Sequence, residues 1–113
     1  MPNYLRARAP GGTVFFTVNL ADRSSSLLTN RIEDLRASFR AVQADMPFRC
    51  DAMVVLPDHL HAVWTLPDGD GDFSTRWKRI KAGFSKAVGV KLPRTLSQEA
   101  KGETGIWQRR FWE

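Results

Sequence analysis

Between residues 13 and 20 apolar and polar positions alternate: Val14, Phe16, Val18 and Leu20 fall on one side, with Thr13, Phe15, Thr17 and Asn19 on the other. A period of two predicts a half-buried strand, released by the breaker Pro10-Gly11-Gly12. After the polar connector Ser24-Ser25-Ser26 the period changes. Ile32, Leu35, Phe39 and Val42 form one helical stripe, with Thr29 or Asn30 placed to cap its first turn and Pro47 closing the segment. Residues 48–56 and 59–66 predict two further strands, and Leu56-Pro57-Asp58-His59 between them predicts a tight antiparallel hairpin. The loop Pro67-Asp68-Gly69-Asp70-Gly71-Asp72 ends in a helix cap. Phe73, Trp77, Ile80, Phe84 and Val88 then mark a second helix that stops near Gly89, and residues 106–112 predict a last short strand.

The order strand, helix, strand, strand, helix, strand (βαββαβ) predicts an α+β fold of the ferredoxin-like, split βαβ type. Its four-stranded antiparallel sheet carries both helices on one face. A length of 113 residues fits one domain. The single cysteine, Cys50, excludes an internal disulfide and reads as inert core. No run approaches the roughly 20 apolar residues of a membrane span, and no signal-peptide pattern opens the chain, so the expected location is cytoplasmic. Seventeen basic against twelve acidic residues, net +5, predict an anionic partner.

Candidate chemistry concentrates at the only two histidines, His59 and His61. In a strand, residues two apart share a side, with Cα atoms roughly 6.7 Å apart. Two imidazoles so placed can converge on one divalent cation. Leu60, Ala62 and Trp64 then face the helices, and the histidines face the open side of the sheet.

The segment Val54-Val55-Leu56-Pro57-Asp58-His59-Leu60-His61 on the third strand resembles the HUH motif (His, hydrophobic, His) of single-tyrosine transposases, especially the REP-associated tyrosine transposases of bacteria. The resemblance extends along the chain. Met1-Pro2-Asn3-Tyr4 with residues 10–13 and 15–20 is similar to that family's first strand, residues 73–77 with Ile80-Lys81 and Phe84-Ser85 to its second helix, and residues 105–113 to its last core strand. The resemblance implies that His59 and His61 hold Mg²⁺ or Mn²⁺, which polarises the scissile phosphate of single-stranded, hairpin-forming DNA. It also implies a tyrosine nucleophile, and a third metal ligand, on a helix after the last strand. The only tyrosine here, Tyr4, matches a different family position. Residues 1–113 are therefore expected to be a single HUH-transposase-like domain truncated before the catalytic tyrosine helix. As this chain alone it should lack a catalytic residue and fail to nick DNA.

Residues 73–98 contain no acidic side chain. Arg76, Arg79 and Lys86 on the second helix are candidate phosphate contacts, and Arg6, Arg8, Arg109 and Arg110 are candidates to extend the track. Phe15, on the open face by parity, is a candidate to stack a base. The alternative is a non-catalytic single-stranded DNA- or RNA-binding module of the same element order. Against it, histidines stand on the third strand where such modules need aromatics. The Asp-Gly run at residues 68–72 is not a calcium loop, because its sixth position is Phe73 and its twelfth is Arg79.

Overall fold

A computed structural model describes residues 12–89 and 106–112. Strands β1 (Thr13–Leu20), β2 (Arg49–Val55), β3 (His59–Thr65) and β4 (Trp107–Trp112) form one sheet in the order β2-β3-β1-β4, with each neighbouring pair antiparallel. A helical turn, α1 (Leu27–Asn30), and two long helices, α2 (Ile32–Asp45) and α3 (Phe73–Val88), complete the α+β architecture expected from the order of elements. Among the described residues no helix is long and apolar enough to cross a membrane.

The core forms where the inward rows of the strands meet the helical stripes. Phe16, Val18 and Leu20 of β1 and Leu60, Ala62 and Trp64 of β3 are buried against Leu35, Phe39, Trp77, Ile80 and Phe84. At its centre Trp64 stacks on Trp77 with ring centroids 4.3 Å apart, Phe48 lies 4.1 Å from Trp64, and Phe16 meets both indoles edge-on. One aromatic cluster thus ties β1 and β3 to α3 and to the entry of β2. Beside β4, the Trp107 indole N–H donates to the Lys81 carbonyl, and Lys81 Nζ donates to the Gln108 carbonyl. Burial of Lys81 against this strand pulls its ammonium pKa down.

Two local departures from the expected pattern have clear causes. Neither Thr29 nor Asn30 caps the long helix. Buried Leu28 draws residues 27–30 into a turn of their own, in which the Thr29 hydroxyl donates to the Ser26 carbonyl, and α2 starts after Arg31 with no side-chain cap. Glu33 and Asp34 supply the negative charge in its first turn instead. The edge strand β2 is interrupted by a bulge between Cys50 and Ala52. Asp51 there accepts hydrogen bonds from Arg49 and from the Thr65 hydroxyl, which puts charge on an otherwise open sheet edge. Cys50 is half-buried beside the core, and that burial pushes its thiol pKa up, in keeping with an inert residue.

The Asp-Gly loop does more than cap α3. Asp72 accepts from the Thr75 N–H at the helix start, as expected, while Asp70 takes hold of Arg76. Arg76 is not on the exposed basic face. It is 1% exposed, and its guanidinium makes five hydrogen bonds, to both Asp70 oxygens and to the carbonyls of Met46, Pro47 and Asp72. A guanidinium has five N–H donors, so none is left for phosphate. The physical reason is position: residue 76 lies three after Phe73 and four before Ile80, within the inward arc of the stripe.

Removing Arg76 takes a donor from both oxygens of Asp70 and from three carbonyls. Arg76→Ala is expected to cost about 3 kcal/mol, the low end for breaking a buried pair because Asp70 is partly solvated. Exposed Lys86→Ala should change stability by no more than about 0.5 kcal/mol. Urea unfolding of the two variants checks this, and equal midpoints would show that the clamp does not hold the loop to the helix.

Candidate metal and nucleic-acid site

Strand β3 alternates between half-buried and buried along its whole length. Because Leu60, Ala62 and Trp64 fill the core, His59 and His61 must project from the other side of the sheet, away from the helices. Their rings lie 5.0 Å apart, edge to face. Each Nδ1 already has a partner. His61 Nδ1 is 2.9 Å from the hydroxyl of Thr17, its cross-strand neighbour on β1. His59 Nδ1 is 2.9 Å from Asp58 Oδ1, and Arg23 reaches Asp58 Oδ2 at 2.6 Å. The guanidinium and the imidazole hold the Asp58 carboxyl down to about 2.

The hairpin that presents this pair is closed by Leu56 N–H donating to the His59 carbonyl, and it is tied to the end of β1 by Leu20 N–H on the Asp58 carbonyl. Both rings engage through Nδ1 and leave Nε2, the arrangement that suits a pair of metal-bound imidazoles held by outer partners. Among the described residues no group of three or more His, Cys, Asp and Glu side chains gathers around a metal position. The two histidines therefore fit as part of a ligand set.

Next to His61 the open face turns apolar. Phe15 stacks on the His61 ring at 5.6 Å and is 52% exposed, and Val54, in register with His61, is 54% exposed. With Ala52, Met53 and Val63 they line a shallow groove of about 230 Å³. Arg79 and Lys86 are exposed on α3, in the opposite layer of the domain, and Arg79 pairs with Asp45 at 2.6 Å. The structure thus brings Phe15, His59 and His61 together and sets Arg79 and Lys86 apart from them. Arg6 and Arg8 lie outside the described residues, as does Tyr4. Residues 109 and 110 belong to β4, with the side chains of Arg109 and Arg110 outside the description.

Thr17, Arg23 and Asp58 are site residues that the pattern along the chain did not single out. Parity puts Thr17 on the histidine face, but its pairing with His61 depends on the register between β1 and β3. Arg23 and Asp58 are 35 residues apart and meet only because the loop after β1 folds over the hairpin.

A ferredoxin-like α+β domain with a histidine pair on the open face of its third strand is thus defined by fold and site alone. No family model matches the chain. Individual relatives do. The chain is 48% identical over 113 residues to the REP-associated tyrosine transposase of Escherichia coli K12, covering 100% of this chain and 61% of that protein. It is 38% identical to a Haemophilus influenzae protein provisionally given the same name, covering 100% of this chain and 65% of that one. A REP-associated tyrosine transposase structure bound to a REP hairpin superposes with a TM-score of 0.81 at 47% identity, over 99% of this chain and 60% of that one. A Deinococcus radiodurans crystal structure, provisionally assigned as a transposase, shares the fold with a TM-score of 0.63 at 13% identity, over 97% of this chain and 82% of that one. Over its whole length the chain is similar to REP-associated tyrosine transposases, and it spans between 60% and 65% of the length of these relatives.

The depressed Asp58 carboxyl predicts an acid-dependent stability. A carboxyl near 2 in the fold and near about 3.9 in the unfolded chain favours folding fully above the higher value. That contribution disappears as pH falls through about 2. Asp58→Asn is expected to lower the melting temperature at neutral pH and to flatten the acid limb between about pH 4 and about pH 2. Melting curves across that range check it. Asp51 and Asp70, also held low by their partners, keep part of the limb in place. Superimposable curves for the variant and the parent protein would count against the Arg23–Asp58–His59 contact.

Proposed function

We propose that these 113 residues act as a single DNA-handling domain of a cytoplasmic transposase. The domain binds hairpin-forming single-stranded DNA and holds Mg²⁺ or Mn²⁺ through His59 and His61. The observation that carries the reading is the histidine pair itself: two imidazoles on the open face of β3, each engaged at Nδ1 by a polar neighbour. Metal-bound imidazoles use that arrangement to present Nε2. Kinship with proteins named as transposases, one of them solved on a REP hairpin, supports the DNA substrate.

In this reading a metal at the pair supplies Lewis-acid stabilisation of the scissile phosphoryl group. The chain's own residues bind and orient. Phe15, stacked on His61 and exposed, takes an unpaired base on its free side, worth roughly 1–3 kcal/mol. Arg79 and Lys86 meet phosphates of a flanking segment on the helical side, and Arg6, Arg8, Arg109 and Arg110 continue the track. No residue of these 113 is assigned as nucleophile, since the resemblance matches the single tyrosine, Tyr4, to a different family position. The polypeptide is proposed to bind DNA without cutting it. The exposed Phe15 on a four-stranded sheet also suits a second reading, a metal-indifferent single-strand-binding module.

The two readings separate in one experiment. With both imidazoles isotopically labelled, Mn²⁺ is expected to broaden the His59 and His61 signals together at low concentration, and His61→Ala should remove the effect at His59. Signals that stay sharp, with hairpin binding weakened by Phe15→Ala but not by His61→Ala, select the second reading. Incubation with hairpin DNA and Mn²⁺ should leave no protein–DNA adduct that survives denaturation, and such an adduct would overturn the assignment of this polypeptide as non-cutting. In a salt titration, Arg79→Ala with Lys86→Ala should reduce the slope of log K against log salt by roughly 1.4 for single strands.

A further inference from the structure

We infer that Arg23 and Asp58 are a positioning pair for His59, holding its ring as the Nδ1–H tautomer and leaving the lone pair on Nε2 for the metal. The inference rests on the metal reading above and deepens it. One carboxylate spans the two groups: Asp58 Oδ2 accepts from Arg23 Nε at 2.6 Å, and Oδ1 faces His59 Nδ1 at 2.9 Å. An ionised carboxylate only accepts, so the ring nitrogen opposite it must carry the proton. A neutral imidazole has one N–H, and Nε2 is then the free base. Arg23 acts one step further out. By occupying Oδ2 it removes the rotation that would turn Oδ1 away from the ring.

The backbone makes this contact a built feature. Arg23 follows β1 by three residues and Asp58 sits at the tip of the β2–β3 hairpin, and two hydrogen bonds hold these segments together, Leu20 N–H to the Asp58 carbonyl and Leu28 N–H to the Pro57 carbonyl. The loop between them is shaped by Asp22, whose Oδ1 accepts from both the N–H and the hydroxyl of Ser24. His61 is treated differently. Its Nδ1 faces the Thr17 hydroxyl, which donates or accepts with equal ease and so suits either tautomer. The two ligands are unequal: His59 is set in advance, and His61 adapts.

The test begins on metal-free protein. Long-range ¹H–¹⁵N spectra at alkaline pH distinguish the two neutral tautomers of each histidine. His59 is expected as the Nδ1–H form, and Asp58→Ala should move it toward the Nε2–H form without changing His61. Mn²⁺ affinity of that variant should fall by roughly 10–100-fold. Arg23→Gln, a change at a half-exposed surface side chain that leaves the core intact, should give a mixed His59 tautomer and a smaller loss. It also keeps the test alive if Asp58→Ala does not fold. An unchanged His59 tautomer in both variants would overturn the inference. A tautomer shift in a protein whose parent binds no Mn²⁺ would uphold the positioning pair and discard the metal reading instead.

Discussion

Everything at this site depends on the stack of Trp64 on Trp77. Residues 60, 62 and 64 share one side of β3, and the largest of them is held between the helices and the sheet by aromatic contacts on several sides. A strand has two faces and a period of two. Anchoring Trp64 inward therefore commits His59 and His61 outward, and a slip of one residue would bury both imidazoles and expose the indole. Such a slip would expose large apolar surface and leave polar rings in the core, so the register is strongly enforced. The outward placement of the two histidines is in this sense a by-product of core packing. The same residues that stabilise the domain decide which side of the sheet carries the histidines.

That dependence explains why so much was legible along the chain. The alternation at residues 13–20 and 59–66, the stripe through Phe73, Trp77, Ile80 and Phe84, the Asp72 cap and the Gly89 stop are all local or periodic signals. Each corresponds to an element within a residue or so of its observed end. Gly89 adopts a left-handed φ of 79° after the last helical residue, a conformation for which glycine is the natural choice. The outward placement of the histidines followed from the same parity. What stayed hidden were contacts across long stretches of chain. Arg23 meets Asp58 and Arg76 meets the carbonyls of Met46 and Pro47 through tertiary placement alone. No spacing rule encodes these.

Arg76 shows how a charge can mislead when composition is read without phase. In a stretch with many cations and no acids, every arginine invites a phosphate. Yet residue 76 lies on the inward side of α3, and the acid that pairs with it, Asp70, stands just before the stretch. The same loop that resembles a calcium motif in composition is an internal counter-ion for a buried guanidinium. Desolvating that group is tolerated because all five donors are used, which is what a buried cation requires. The consequence for DNA binding is a smaller basic surface on α3 than the raw count suggests.

The separation of the histidines from α3 constrains how one DNA molecule could use both. Phe15, His59 and His61 lie on the open face of the sheet, while Arg79 and Lys86 lie on the helical layer behind it, so a strand touching both sets must pass around an edge. The two edges are not equivalent. The β2 edge carries a bulge at which Arg49 and Asp51 pair at 2.6 Å, so the two charges offset each other. The β4 edge lies beside α3, joined to it through Trp107, Lys81 and Gln108, and its sequence contributes Arg109 and Arg110. Proximity to α3 therefore favours passage over β4 under the proposed function. Under the proposed function, the scissile segment lies at the histidines and the flanking segment crosses β4 toward α3. On that path the basic residues set affinity through phosphates, while the open face, with one aromatic ring and two imidazoles, is where individual bases are met.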